Sequence, residues 1–157
     1  MRGTDGTCVG AGGVIMQAMP GADDNAICMA EDVMSQKFYK CEHCGNIVEI
    51  INDAGVPILC CGQKMKELMA GESDGAAEKH VPEYKVDGRV VNVNVGSIDH
   101  PMVAEHWIEW VSLESKEGIQ RKHLKPGQAP NVSFALGEGD EVVAVYAYCN
   151  LHGLWKA

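Results

Sequence analysis

The segment from Val142 to His152 restricts the fold of this chain more than any other. Eight consecutive residues, Val142 to Cys149, are all apolar, a run of strand length that reads as a buried strand. It ends in Cys149-Asn150-Leu151-His152, where a thiolate and an imidazole three positions apart close on one metal ion if the backbone turns between them. His80, His100 and His106 supply further imidazoles, and Pro101 holds His100 in an extended, stiff stretch. Four imidazoles and one thiolate exceed the four ligands of tetrahedral zinc. They suit a five-coordinate redox metal with one position open.

The chain has 157 residues, enough for one ordinary domain or for a metal-stapled module plus a compact one. No stretch is apolar for long enough to span a membrane as a helix. The formal charge of −9 argues against a nucleic-acid partner, because no basic stripe offsets it. A small anionic substrate needs a local positive site to overcome that field. Five of the seven cysteines fall in metal-type groupings, as expected in a reducing compartment where thiols serve metals. Cys8 and Cys28 have no evident partner.

Residues 1–36 hold six glycines, five of the eight methionines and no aromatic residue. No periodicity persists there, so a disordered extension is expected, with a start at Met34 as an alternative. From Lys37 a compact module is expected to residue 70. Cys41-Glu42-His43-Cys44-Gly45 is followed by Cys60-Cys61-Gly62, with short strands at Ile47 to Ile51 and Pro57 to Leu59 around an Asn52-to-Gly55 turn. Glycine after each cysteine pair permits positive φ, which lets backbone N–H groups face thiolate sulfur. So short a segment cannot build a core alone, so a metal must hold it. The adjacent Cys60-Cys61 pair departs from a regular zinc ribbon, and zinc or iron remains open at this point. His43 reads as an exposed spacer.

Gly71 to Gly75 reads as a polar hinge opening a second domain, residues 71–157. Alternating strands are expected at Arg89 to Gly96 and His106 to Leu113, with two more at Asn131 to Leu136 and Glu141 to Tyr148. Short strands separated by Gly/Pro turns, without a convincing helix, indicate an all-β protein with an antiparallel β-sandwich. His123 lies in a polar run and reads as solvated. Trp107, Trp110 and Trp155 read as core or rim packing, with shielding of the metal as the lesser alternative.

These motifs together resemble desulfoferrodoxin, the two-iron form of superoxide reductase. The resemblance is carried by Tyr39-Lys40-Cys41-x2-Cys44-Gly45-Asn46, Cys60-Cys61-Gly62, Glu78-Lys79-His80-Val81-Pro82 and Gly96-Ser97-x2-His100-Pro101-Met102. His106-Trp107-Ile108-Glu109-Trp110, Leu124-Lys125-Pro126-Gly127 and Tyr148-Cys149-Asn150-Leu151-His152-Gly153 extend it. Residues 1–33 have no counterpart. The resemblance implies a rubredoxin/desulforedoxin-like module whose iron is bound by Cys41, Cys44, Cys60 and Cys61. It also implies an immunoglobulin-like sandwich whose iron has equatorial His80, His100, His106 and His152 and axial Cys149. A cytoplasmic homodimer fed by rubredoxin or a similar donor is implied as well.

The implied reaction is one-electron reduction of superoxide, with two protons, to hydrogen peroxide. Lys79 would add positive charge at the mouth of the site, and Glu78 would bind the oxidised iron once product has left; these two are the expected catalytic residues. Two other classes compete. A cupredoxin-like electron carrier also uses Cys-x2-His on a β-sandwich, but Gly153 to Ala157 offers no axial Met. A zinc-stapled interaction module leaves the histidines idle.

Overall fold

The computed structural model of the chain describes residues 35–157. The expected disorder of residues 1–34, and Cys8 and Cys28, lie outside the described residues. In chain order the elements are β1 (Lys37–Lys40), β2 (Ile47–Ile50), β3 (Leu59–Cys60), β4 (Gln63–Lys64), β5 (Lys66–Glu67), α1 (Ala77–His80) and β6 (Pro82–Asp87). They continue with β7 (Val90–Val95), β8 (Ile108–Ser115), β9 (Ile119–His123), β10 (Asn131–Ala135), β11 (Val142–Cys149) and β12 (Gly153–Lys156). Among the described residues no helix is long and apolar enough to cross a membrane.

The sandwich consists of a three-stranded sheet, β10-β7-β6, and a four-stranded sheet, β12-β11-β8-β9. All their pairings are antiparallel. Val91, Val93 and Val95 of β7 meet Val111, Leu113, Val145 and Ala147 in the core between the sheets. The period-two pattern in β7 produces this face.

β11 is apolar on both faces because both are covered. Its second face carries Ala144, Tyr146 and Tyr148, which pack with Trp110, Leu154 and Phe38. Phe38 comes from β1 of the small N-terminal module, whose sheet runs β2-β1-β5. It is buried, with its ring centroid 5.0 Å from that of Trp110 and 5.9 Å from that of Tyr146. The Arg121 guanidinium lies over both Phe38 and Trp110 and pairs with Glu49 of β2 at 2.8 Å. Lys40 donates to the Tyr148 hydroxyl at 2.9 Å. Burial of an aromatic ring such as Phe38 contributes roughly 1.5–3 kcal/mol.

Three expectations change. Gln36 was expected in the disordered extension but is buried: its N–H donates to Glu114 and its side-chain oxygen accepts from Ser112. The polar face of β8 required a partner, and Gln36 supplies it. The segment Gly71 to Gly75 is docked on β12. Gly71 N–H donates to Leu154 O at 2.9 Å and Ser73 Oγ donates to His152 O at 2.7 Å. A Cβ at Gly75 would lie 2.9 Å from the Trp155 ring, so that approach requires glycine. A four-residue helix, α1, also forms where no helix was expected.

Candidate metal centres

In the N-terminal module, the β1–β2 turn presents Cys41 and Cys44, and the β3–β4 hairpin presents Cys60 and Cys61. Their four sulfurs lie within 4.8 Å of one another and none is in a disulfide. Gly45 and Gly62 take φ of 79° and 77°, as the sequence predicts. Cys61 is itself at φ 50°, the one non-glycine residue there among those described, a strained backbone at the point where two adjacent thiols turn to one centre. Backbone N–H groups of Cys44 and His43 hold the Cys41 thiol down at about 6. Its neighbours push the Cys61 thiol up to about 12, Cys44 contributing most. Four thiolates therefore do not coexist here without a cation, which is the condition a tetrahedral metal site meets. His43 is exposed, as a spacer should be.

The second cluster lies at one end of the sandwich. His80 closes α1, His100 and His106 come from the connection between β7 and β8, and Cys149 and His152 flank the β11–β12 turn. The rings follow each other in a closed circuit. His80–His100 centroids are 4.6 Å apart, His100–His106 4.4 Å, His106–His152 4.8 Å and His152–His80 4.7 Å. Each neighbour is nearly perpendicular to the next, whereas His80 and His106, across the circuit, lie near parallel at 5.9 Å. The donor atoms of His80, His106, His152 and Cys149 lie within 4.8 Å of one another. His100 stands slightly outside that group but completes the circuit of rings.

The protonation pattern fits a cation at the centre. His80 Nδ1–H donates to Ala76 O at 2.8 Å and His100 Nδ1–H donates to Pro101 O at 2.5 Å. Each ring therefore turns a lone pair on Nε2 inward. The Nε2 atoms of His100 and His106 are buried and without a hydrogen-bond partner. Burial holds His100 near 4 and also lowers His80 and His106, so all three are neutral ligands at neutral pH. Burial pushes the Cys149 thiol up, and a metal ion is the charge that makes it a thiolate. His152 Nδ1 faces both Cys149 Sγ, at 3.7 Å, and His80 Nε2, at 2.9 Å.

Eight of the nine sequence-predicted ligands fall into two donor-atom clusters, and His100 adjoins the second through ring contacts with His80 and His106. Glu78 and Lys79 are exposed on α1, next to His80. Their charges act on His80 in opposite directions, Glu78 raising its pKa and Lys79 lowering it. His123 is exposed, as its polar run predicts. Trp155 is buried, as packing requires, and its place beside His80 also matches the lesser alternative of shielding the site. Its indole stacks on His80 at 4.9 Å and donates from Nε1 to His152 O at 3.0 Å.

Fold and sites define a class: a β-sandwich protein with one four-cysteine metal centre and one four-histidine, one-cysteine metal centre. The chain belongs to the desulfoferrodoxin family. The desulfoferrodoxin N-terminal domain matches residues 34–68 and the desulfoferrodoxin domain matches residues 72–157. The chain is 50% identical over 121 residues to desulfoferrodoxin of Nitratidesulfovibrio vulgaris, covering 77% of this chain and 94% of that one. It is 34% identical over 100 residues to the superoxide reductase of Pyrococcus horikoshii, covering 53% of this chain and 87% of that one. The crystal structure of the superoxide reductase from Treponema pallidum superposes with a TM-score of 0.67 at 38% identity, covering 78% of this chain and 98% of that one.

Proposed function

We propose that this chain is a superoxide reductase, which reduces superoxide with one electron and two protons to one hydrogen peroxide. The observation that carries the reading is the circuit of four imidazoles closed beside a buried cysteine. His80, His100, His106, His152 and Cys149 would hold one iron, and Cys41, Cys44, Cys60 and Cys61 a second. Iron, when bound in the His/Cys site, supplies the electron and an open coordination position.

The residues around that site set its selectivity. With neutral imidazoles and a single thiolate, a ferrous centre keeps a net positive charge that favours a small anion. Lys79, exposed on α1, adds a second positive charge beside His80 and can order a water that delivers a proton. Glu78 is the proposed carboxylate ligand of the oxidised state. Trp155 covers one face of His80 and keeps water from its ring. Backbone carbonyls hold His80 and His100 in one tautomer, so neither ring must reorient during turnover.

The proposal extends to organisation. Residues 37–70 act as a desulforedoxin-like iron module and residues 71–157 as the catalytic domain. Family membership supports adding a rubredoxin-type donor, a homodimer and a cytoplasmic location to the proposal. The −9 charge supports the absence of a nucleic-acid partner.

Product stoichiometry tests the reaction. Iron-loaded, pre-reduced protein should yield one peroxide and no dioxygen for each superoxide consumed. Half an equivalent each of peroxide and dioxygen would indicate dismutation and overturn the proposal.

A further inference from the structure

His106 lies in the connection between β7 and β8, whereas Cys149 and His152 lie on a hairpin formed far later in the chain. On its N-terminal side, His106 is held in a tight bridge with Val103, with both N–H groups donating across it. Nothing in that bridge aims the loop at the hairpin. On the other side β8 pairs with β11 from Ile108, opposite Cys149, and Asn150 extends that link to the residues flanking His106.

Asn150 Oδ1 accepts the Trp107 N–H at 2.9 Å, and Asn150 Nδ2 donates to Glu105 O at 2.9 Å. Its own backbone N–H donates to Trp107 O at 3.2 Å. The residues on both sides of His106 are thus tied to the residue that follows Cys149. At the same level β8 carries an extra residue, Glu109, opposite the Tyr148–Cys149 step of β11. This bulge shifts the register, and the pairing resumes with Ile108 opposite Cys149. Beyond Ile108 the backbone bond from Asn150 to Trp107 continues the pairing, and the side-chain amide of Asn150 adds bonds to Trp107 and Glu105 on both sides of His106.

We infer that Asn150 is a positioning residue that sets His106 against the Cys149–His152 hairpin through its side-chain amide. The chemistry selects asparagine. The loop offers one donor and one acceptor at the spacing of a carboxamide, and the amide supplies the complementary pair. A carboxylate would keep the acceptor for Trp107 but oppose the Glu105 carbonyl. An aliphatic side chain would leave both loop groups unpaired. The inference rests on the reading of His106 as a metal ligand and adds the residue that delivers it.

The test is a double-mutant cycle on the full chain, read by anaerobic titration of metal-free protein with ferrous iron. Asn150→Ala should weaken binding at the His/Cys site by roughly 10- to 100-fold, the range for lost ligand-orienting partners. The four-cysteine site should be unchanged. In a His106→Ala background the same substitution should cause no further loss, because its effect passes through His106. Backbone exchange at Trp107 in the metal-free protein should quicken by about tenfold or more in Asn150→Ala. Asn150→Asp should keep Trp107 protected, bind iron with intermediate strength, and serve for the cycle if Asn150→Ala fails to fold. Additive losses in the double variant, or unaltered Trp107 exchange in Asn150→Ala, would overturn the role of Asn150 alone. Unchanged iron binding in His106→Ala would overturn the ligand reading and the inference with it.

Discussion

Trp155 lies over His80 with ring centroids 4.9 Å apart and planes 24° apart, and the same indole donates to the carbonyl of His152. One side chain thus contacts two ligands that are 72 residues apart in sequence. Trp155→Phe keeps the stack and loses the hydrogen bond, so iron affinity at the His/Cys site should fall by about 10-fold, with the fold intact. Trp155→Ala removes both and should cost about 3–5 kcal/mol of stability. Metal titration and urea denaturation check the pair, and equal affinity in wild type and Trp155→Phe would count against the hydrogen bond.

The buried histidines make the metal-free protein acid-labile. His100 takes a proton near 6.5 in the unfolded chain and only near 4 in the folded one, because burial disfavours its charge. Between those values the unfolded state binds more protons, so stability rises with pH. Stability should be fully present above about 6.5 and fall as the pH drops towards 4. His80 and His106 are lowered by burial and act with the same sign. Denaturant midpoints of the metal-free protein across this range should slope upward, and a flat profile would contradict the burial argument.

The seam between the two centres rests on Phe38, Lys40 and Arg121, none of which is a metal ligand. Cys60→Ser should therefore empty or alter the four-cysteine site while the His/Cys site still binds iron. Phe38→Ala should instead cost about 3–5 kcal/mol of stability while both donor sets stay complete. Iron per chain and the thiolate absorption bands separate these results. Loss of both irons in Cys60→Ser would show that the centres fold as one.

Lys79 is exposed on α1 beside His80 in a chain of formal charge −9. Its removal should lower the second-order rate of superoxide capture by roughly 10-fold. The remaining rate should also depend differently on ionic strength, since salt screens the same field. Glu78→Ala should leave capture unchanged and alter anion binding to the oxidised protein. Pulse radiolysis at low and high salt tests both, and a Lys79→Ala rate equal to wild type at low and high salt alike would remove the steering role.

The two ligand sets were legible because cysteine and histidine have few other reasons to recur at such spacings. Strands β7, β8, β10 and β11 were legible from alternation or continuous apolar content. β9 and β12 were not: Gln120-Arg121-Lys122 looks solvated, and Gly153 to Lys156 is too short to show a period. Arg121 is polar in sequence, yet its guanidinium lies over two aromatic rings, so the charge hid a packing residue. Gln36 was assigned to the tail because nothing local marks a residue whose partners, Ser112 and Glu114, lie on β8. Asn150 escaped for the same reason, as its partners Glu105 and Trp107 are distant in sequence. Spacing reveals which atoms bind metal, whereas the groups that aim them are specified by tertiary contacts.

The β11–β12 hairpin supplies both Cys149 and His152 and also the strand buried between the core and Phe38. A ribosome makes His80, His100 and His106 first, at about 5–20 residues per second, and they emerge without a thiolate or a finished sheet to hold them. The four-cysteine module is complete in the nascent chain well before that hairpin exists. Assembly in the cell therefore has a built-in order: the cysteine-rich iron can be loaded during synthesis, but the His/Cys iron only after the hairpin has left the exit tunnel. A chain stalled before Cys149 would carry three histidines, an unfinished sandwich and no means of retaining catalytic iron.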